Sequence, residues 1–205
     1  MYQPPHFRED RLDRLHDFIA ARGFGLLISS SAEGPVADAL PFLIDRAAGD
    51  KGVLRAHLAR ANPQVDILRA GGPALVVFSG ADFYVTPSWY PTKQETGRVV
   101  PTWNYTLVQV HGRARLIEDA DWLARQIADL TANHERARPD PWAVDDAPAD
   151  FIAMQMKGVV GLEIAIERID GKVKMSQNRT PAERAGVAAG LRADGRSDLA
   201  REVEG

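Results

Sequence analysis

The chain has 205 residues, with 25 Lys and Arg against 28 Asp and Glu, a formal net charge of −3, and no cysteine. The lack of cysteine excludes a disulfide scaffold, a thiolate zinc site, an iron–sulfur cluster and a cysteine nucleophile. Hydrophobic residues make up 45% of the chain and charged residues 26%, which is typical of a globular protein and excludes a disordered one. This length predicts a single domain over residues 1–205.

The N-terminal sequence has no basic region followed by an apolar stretch, and no apolar run approaches the ~18 residues of a membrane span. We therefore expect a cytoplasmic protein with no membrane partner. The slightly acidic charge balance, without a basic tail, predicts no general electrostatic attraction to nucleic acid.

The first half of the chain predicts one helix followed by a run of strands. Apolar residues on one helical face predict a helix from Asp10 to Arg22 that ends at Gly23. Strands follow at GLLISS, ALPFLID, VLRAHL, ALVVFSG and DFYVTP, with a short helix around Val65 to Leu68. Residues 88–102 contain two prolines and a glycine and predict a long loop.

The second half adds a long alternating strand, three helices and a predicted hairpin. The strand runs from Asn104 to Leu116, and helices are predicted from Asp119 to Ala137, from Pro148 to Met156, and as a C-terminal tail from about 180. Asp170-Gly171 predicts a hairpin turn between LEIAIERI and KVKMS. Because the six or seven strands are not interleaved with regular helices, we predict a mainly β (α+β) fold, an antiparallel barrel with peripheral helices.

Common catalytic and ligand motifs are absent from the sequence. It contains no phosphate loop, dinucleotide-binding glycine turn, nucleophile elbow or zinc-protease motif. The five histidines are scattered without metal-ligand spacing, so no metal site is predicted.

A first candidate binding segment lies where a strand leads into a helix. The Arg60 guanidinium offers a planar fork of donors that suits a phosphate, and His57 and Asn62 could donate beside it. Backbone N–H groups after Pro63 would add further donors. The structural alternative is an ordinary strand-to-helix corner in which Asn62 caps the helix and Arg60 is solvated.

A second candidate segment, residues 83–105, holds six of the fifteen aromatic residues, interleaved with hydroxyl and amide side chains. Aromatic faces stack on planar rings, and hydroxyl and amide groups fix ring edges, so this density suits a flat heteroaromatic ligand. The alternative is packing of a long loop on the barrel, or a dimer interface.

A third candidate segment, residues 172–179, packs three cations and three neutral polar residues into one strand end. Facing an anion, these side chains could clamp a phosphate. The alternative is a solvated strand edge that lysines protect from pairing.

Several ordered blocks give the chain a family resemblance. They are Met1-Tyr2 with Phe7, Ala39–Phe42, His57–Pro63, Pro87–Pro91, Val100–Tyr105, Pro141-Trp142 with Asp146–Pro148, Gly158–Gly161 and Lys174–Arg179. Together they resemble the PaiB family of FMN-binding negative transcriptional regulators. The resemblance implies a homodimer of split β-barrels, similar to flavin reductases and pyridoxamine oxidases, with FMN bound where the subunits meet.

The resemblance also implies which residues contact FMN. On this chain the phosphate end would be formed by His57, Arg60 and Asn62. The ring or ribityl chain would lie near Ser88, Trp89 and Tyr90 and near Thr102, Trp103 and Asn104. A third group could come from the partner subunit: Gln177, Asn178 and Arg179.

Three functions follow as alternatives. The resemblance implies an FMN-binding regulator of transcription, and since no DNA-reading element is visible, repression would be indirect or require a protein partner. The second is a small FMN-dependent oxidoreductase or flavin reductase, in which the cofactor carries the redox chemistry. The third is a ligand-free scaffold acting through its dimer surface. No catalytic residue is predicted.

Overall fold

Eight strands of one sheet, with helices around them, make up the computed structural model, which describes residues 1–205. The strands are β1 (Arg8–Glu9), β2 (Phe24–Ser31), β3 (Gly34–Pro41), β4 (Leu43–Asp45), β5 (Val53–Ala59), β6 (Pro73–Val85), β7 (Thr102–Ile117) and β8 (Val159–Lys174). The helices are α1 (Leu12–Arg22), α2 (Gln64–Arg69), α3 (Thr92–Glu95), α4 (Ala120–Glu135), α5 (Ala149–Lys157), α6 (Pro181–Ala193) and α7 (Ser197–Glu204). None of these helices is both long and apolar enough to span a membrane.

Hydrogen-bonded neighbours in the sheet follow the order β3-β2-β6-β7-β8-β5-β4, and β1 pairs with β8. The strand pairs β1–β8, β2–β3, β2–β6, β4–β5 and β5–β8 are antiparallel. The predicted fold class, mainly antiparallel β-sheet with peripheral helices, is therefore confirmed.

The chain divides into two compact units. The first consists of Met1–Arg11, Ser79–Val108 and Asp170–Gly205, and the second of Leu12–Phe78 and Gln109–Ile169. The single domain over residues 1–205 stays a prediction.

In the second unit, successive side chains of β5 point to opposite faces of the sheet. Leu54 and Ala56 are 0% exposed and Leu58 is 3% exposed, because alternate residues of a strand point to the same face. His57 lies between them in sequence and therefore points to the opposite face. Its partner in the register with β8 is Gly161.

The first unit has its own apolar core, built largely by the C-terminal helices. Helix α6 begins at Pro181, and Thr180 and Glu183 form the predicted capping box. The buried residues of this core are Phe83, Val85, Tyr90, Met175, Val187, Ala188, Leu191, Leu199, Ala200 and Val203.

The predicted hairpin at Asp170-Gly171 is wrong. Strand β8 continues through both residues to Lys174, and neither has the positive φ that an Asp-Gly hairpin turn requires. The N-terminal segment supplies the reason: Gly171 pairs with Glu9 of β1, and the Asp170 carboxylate binds the N-terminal ammonium group at 3.0 Å. Likewise ALVVFSG and DFYVTP form the single strand β6, and the predicted loop contains the short helix α3.

Candidate functional site

Arg60, at the corner after β5, is held by acceptors of the second unit. Its Nη1 donates to the Glu118 carboxylate, its Nε to the Lys157 carbonyl at 3.2 Å and its Nη2 to the Val159 carbonyl at 2.9 Å. Arg69 also pairs with Glu118, at 3.3 Å. Hydrogen bonds from Arg60 and then Arg69 hold the pKa of Glu118 below its usual value. The guanidinium is exposed, yet a carboxylate is already bound to it.

Asn62 has the structural role that the sequence left open as the alternative. Its Oδ1 accepts from the Gln64 backbone N–H at 2.8 Å, at the start of α2, and its Nδ2 donates to the Asp38 carboxylate at 3.0 Å. Both ends of this amide therefore hold the corner in place.

His57 retains an unused polar atom. Its Nδ1 is buried and has no hydrogen-bond partner. Burial lowers the pKa of His57, because desolvation disfavours the charged imidazolium. A buried polar atom without a partner costs about 1–3 kcal/mol, so this position favours a bound ligand atom or water.

A cleft of about 340 Å³ lies beside Arg60 in the second unit. Its volume is within the range of about 300–1,000 Å³ that is usual for small-molecule sites. The lining residues are Arg60, Glu118, Ala120, Leu123, Ala153, Met156 and Lys157. The cleft thus combines apolar walls from α4 and α5 with two cations and one carboxylate. A second cleft of about 380 Å³, beside Trp142, contains none of the predicted site residues.

In the first unit, the predicted blocks 88–90 and 177–179 meet at Tyr90 and Arg179. The guanidinium carbon of Arg179 lies 4.7 Å from the centroid of the Tyr90 ring. Tyr90 is 1% exposed, and burial raises the pKa of its hydroxyl, against smaller opposing effects of Arg179. Ser88 is exposed, and its hydroxyl accepts from Lys93 Nζ at 2.9 Å.

The block 102–104 divides between the interior and the surface. Asn104 is 0% exposed, and its Nδ2 donates to the Ser176 hydroxyl at 2.9 Å. Trp103 is 53% exposed and contacts Tyr84 edge to face, with ring centroids 6.1 Å apart. Trp103 and Tyr84 therefore present an accessible aromatic surface, whereas Asn104 positions the turn at Ser176.

Gln177 and Asn178 are both exposed, and hydrogen bonds within its own turn hold the Gln177 side chain. Gln177 closes its own turn, since its Oε1 accepts from Met175 N at 2.7 Å and its Nε2 donates to the Val173 carbonyl at 2.8 Å. Ser176, with φ of 64°, occupies the left-handed region inside that turn. Asn178 is exposed.

Two lysines of the third segment were not among the predicted contact residues, and the alternative of a solvated lysine edge is wrong for one of them. Lys172 is only 7% exposed, and Lys174 is half-buried with its Nζ bonded to the Thr102 hydroxyl. The only sequence pattern that could have indicated them is the spacing of two lysines two positions apart on one strand. The aromatic rings that bury them belong to residues distant in sequence.

The chain matches known sequences over most of its length. A family model described as “Putative FMN-binding domain” matches residues 1–168. The “Protease synthase and sporulation protein PAI 2” of Bacillus subtilis is 30% identical over 183 residues, covering 89% of this chain and 85% of the relative. An uncharacterized protein of Aspergillus fumigatus is 33% identical over 236 residues, covering 93% of this chain and 90% of the relative.

Solved structures share the fold at low sequence identity. An FAD and heme binding protein from Mycobacterium smegmatis superposes with a TM-score of 0.60 at 18% identity, covering 82% of this chain and 73% of that one. A flavocytochrome from Azotobacter vinelandii gives a TM-score of 0.59 at 15% identity, covering 82% of this chain and 69% of that one. This likeness supports the predicted split-barrel fold.

Proposed function

The chain belongs to the FMN-binding domain family and to that of the Bacillus subtilis PAI 2 protein, and we propose on this basis that it binds FMN and acts as a homodimeric negative regulator of transcription. The observation that carries the proposal is the family match over residues 1–168. Bound FMN would supply redox chemistry to the site.

Each of the two units contains residues that suit one part of a flavin nucleotide. In the second unit, the buried Nδ1 of His57 has no partner, and Arg60 and Lys157 line a cleft of about 340 Å³. Guanidinium and ammonium groups suit the phosphate of FMN. In the first unit, Trp103 and Tyr84 expose aromatic rings that suit stacking on a flat tricycle.

Within this proposal, four side chains are assigned contacts to FMN. These are His57 and Arg60 toward the phosphate, and Ser88 and Trp103 toward the ring or ribityl chain. The other predicted residues support them from within the fold or await the partner subunit: Asn62, Trp89, Tyr90, Asn104, Gln177, Asn178 and Arg179.

Regulation through a protein partner, rather than direct DNA binding, is supported by charge. The formal net charge is −3, whereas DNA-binding domains neutralise several phosphates with clustered Lys and Arg. A homodimer is proposed from the family resemblance, and the exposed aromatic surface of Trp103 and Tyr84 is of the kind enriched at interfaces.

The decisive experiment is reconstitution of the purified protein with FMN. We expect a visible flavin spectrum, saturable quenching of flavin fluorescence and a dimer mass by light scattering. Protein that stays colourless and takes up no FMN would contradict flavin binding. Rapid reduction of the bound flavin by a nicotinamide cofactor would favour an oxidoreductase instead, and tight sequence-selective DNA binding by the pure protein would contradict indirect regulation.

A further inference from the structure

Lys172 is a buried cation without a carboxylate partner. Its side chain is 7% exposed, and it makes no ion pair with Asp or Glu. The ammonium lies 5.5 Å from the ring centroid of Tyr2 and 5.1 Å from that of Tyr105, and it donates to the Tyr2 carbonyl at 3.2 Å. Cation–π contacts offset part of the cost of burying a charge, but they leave the charge itself unneutralised.

Lys174 lies on the same strand and faces the same kind of surroundings. Its Nζ donates to the Thr102 hydroxyl and lies 5.9 Å from the ring centroid of Phe7. Burial lowers the pKa of Lys174; Tyr105 opposes this, and the positive charges of Lys172 and then Arg179 add smaller lowering effects. No carboxylate is among the groups that shift it.

Lys172 and Arg179 therefore both act electrostatically on Lys174 near the end of β8. The one carboxylate paired with them is that of Glu183, 3.9 Å from Arg179, and it also accepts from the Thr92 hydroxyl at 3.1 Å. Holding like charges together in a partly desolvated place is unfavourable unless an anion compensates them. Tetrahedral phosphate oxygens accept hydrogen bonds from ammonium and hydroxyl donors alike.

We propose that Lys172 and Lys174, together with the Thr102 hydroxyl, form a phosphate-binding site of the first unit. Tyr2, which lies over the Lys172 ammonium, belongs to the N-terminal segment, and its side chain is 83% exposed. The phosphate has two sources: that of FMN, which rests on the proposed FMN binding and would then lie here instead of at His57 and Arg60, or that of a separate phosphorylated ligand, which does not rest on it.

The test compares Lys174→Met with wild type in three titrations: FMN, riboflavin and inorganic phosphate. FMN and riboflavin differ only by the phosphate. If the FMN phosphate binds here, the variant binds FMN roughly tenfold to a hundredfold more weakly and riboflavin equally well. If a separate ligand binds here, FMN affinity is unchanged, but inorganic phosphate raises the thermal midpoint of wild type and not that of the variant.

Controls keep the outcomes distinct. Lys51→Met removes an exposed lysine of the other unit, which donates to the Glu167 carbonyl, and should behave as wild type in every titration. Lys174→Arg keeps the charge and should restore most of the lost affinity. If wild type and Lys174→Met bind FMN with equal affinity and show the same change of thermal midpoint with inorganic phosphate, the proposed phosphate site is wrong. Failure of wild type to bind either flavin contradicts the proposed function, while the phosphate titration still decides this site.

Discussion

The indole ring of Trp89 occupies the space in which a side chain on Gly190 would begin. Three indole atoms lie less than 3.0 Å from the position of a Cβ on Gly190, and the Trp89 carbonyl oxygen is equally close at Gly186. Both glycines lie on α6, one helical turn apart. Helix α6 thus holds the block 88–90 in place by direct backbone contact.

Gly190→Ala should destabilise the protein by about 1–3 kcal/mol, because the new methyl group overlaps the indole. Helix propensity alone predicts the opposite sign, a gain of about 1 kcal/mol for Ala over Gly. Chemical denaturation of both proteins decides between these effects. Gly72→Ala is the matched control, since nothing lies within 4 Å of its Cβ position and its φ is not positive, and it should be neutral or slightly stabilising.

Asn104 and Ser176 should be energetically coupled. They are 72 positions apart in sequence and both buried, and the bond between them measures 2.9 Å. A double-mutant cycle with Asn104→Ala and Ser176→Ala should give a coupling of about 1 kcal/mol in the free energy of unfolding. Asn178→Ala, at an exposed position, serves as the uncoupled control. Strict additivity of the two buried changes would show that this bond contributes nothing.

Arg60→Ala should weaken FMN binding by about 1.5–3 kcal/mol if its guanidinium contacts the phosphate. Since Glu118 now occupies that guanidinium, Glu118→Gln should strengthen FMN binding by removing a competing negative charge. Fluorescence quenching measures both affinities.

Arg69→Ala is the control that distinguishes a loss of FMN contact from a loss of the ion pairs of Glu118. It breaks the second ion pair of Glu118 without removing the corner guanidinium, so FMN affinity should stay at the wild-type value. If Arg60→Ala lowers only the free energy of unfolding and leaves FMN affinity unchanged, Arg60 belongs to the scaffold and not to the site.

His57 should make the protein less stable in acid. The pKa of His57 is lower in the folded protein than the value of about 6.5 in the unfolded chain. At pH values between these two pKa values the unfolded chain binds more protons than the folded protein, so the free energy of unfolding rises with pH and falls on acidification. His57→Gln should therefore lose less stability than wild type between about pH 7 and pH 5 in urea denaturation. His6→Gln changes an exposed histidine and should follow the wild-type profile. If the free energy of unfolding of His57→Gln falls on acidification as steeply as that of wild type, another group causes the acid sensitivity.

Local patterns in the sequence predicted local structure well. The apolar period and the following glycine located α1, whose end is marked by Gly23 with φ of 62°, and the capping box located the start of α6. The hairpin at Asp170-Gly171 failed because the N-terminal segment, about 160 residues away, supplies β1 as a partner for the same strand. Turn propensity is local, and here a distant strand pair overrides it.

By itself, the sequence determined the class of fold, the family and the chemical character of the three candidate segments, because composition, periodicity and ordered motifs are properties of neighbouring residues. Only the tertiary structure decided which of these side chains remain available to contact a ligand. It bound Arg60 to Glu118, enclosed Asn104 against Ser176, and left Lys172 and Lys174 beneath aromatic rings without a carboxylate. Those outcomes depend on contacts between residues far apart in the chain, and the burial that sets their electrostatics exists only once the chain has folded.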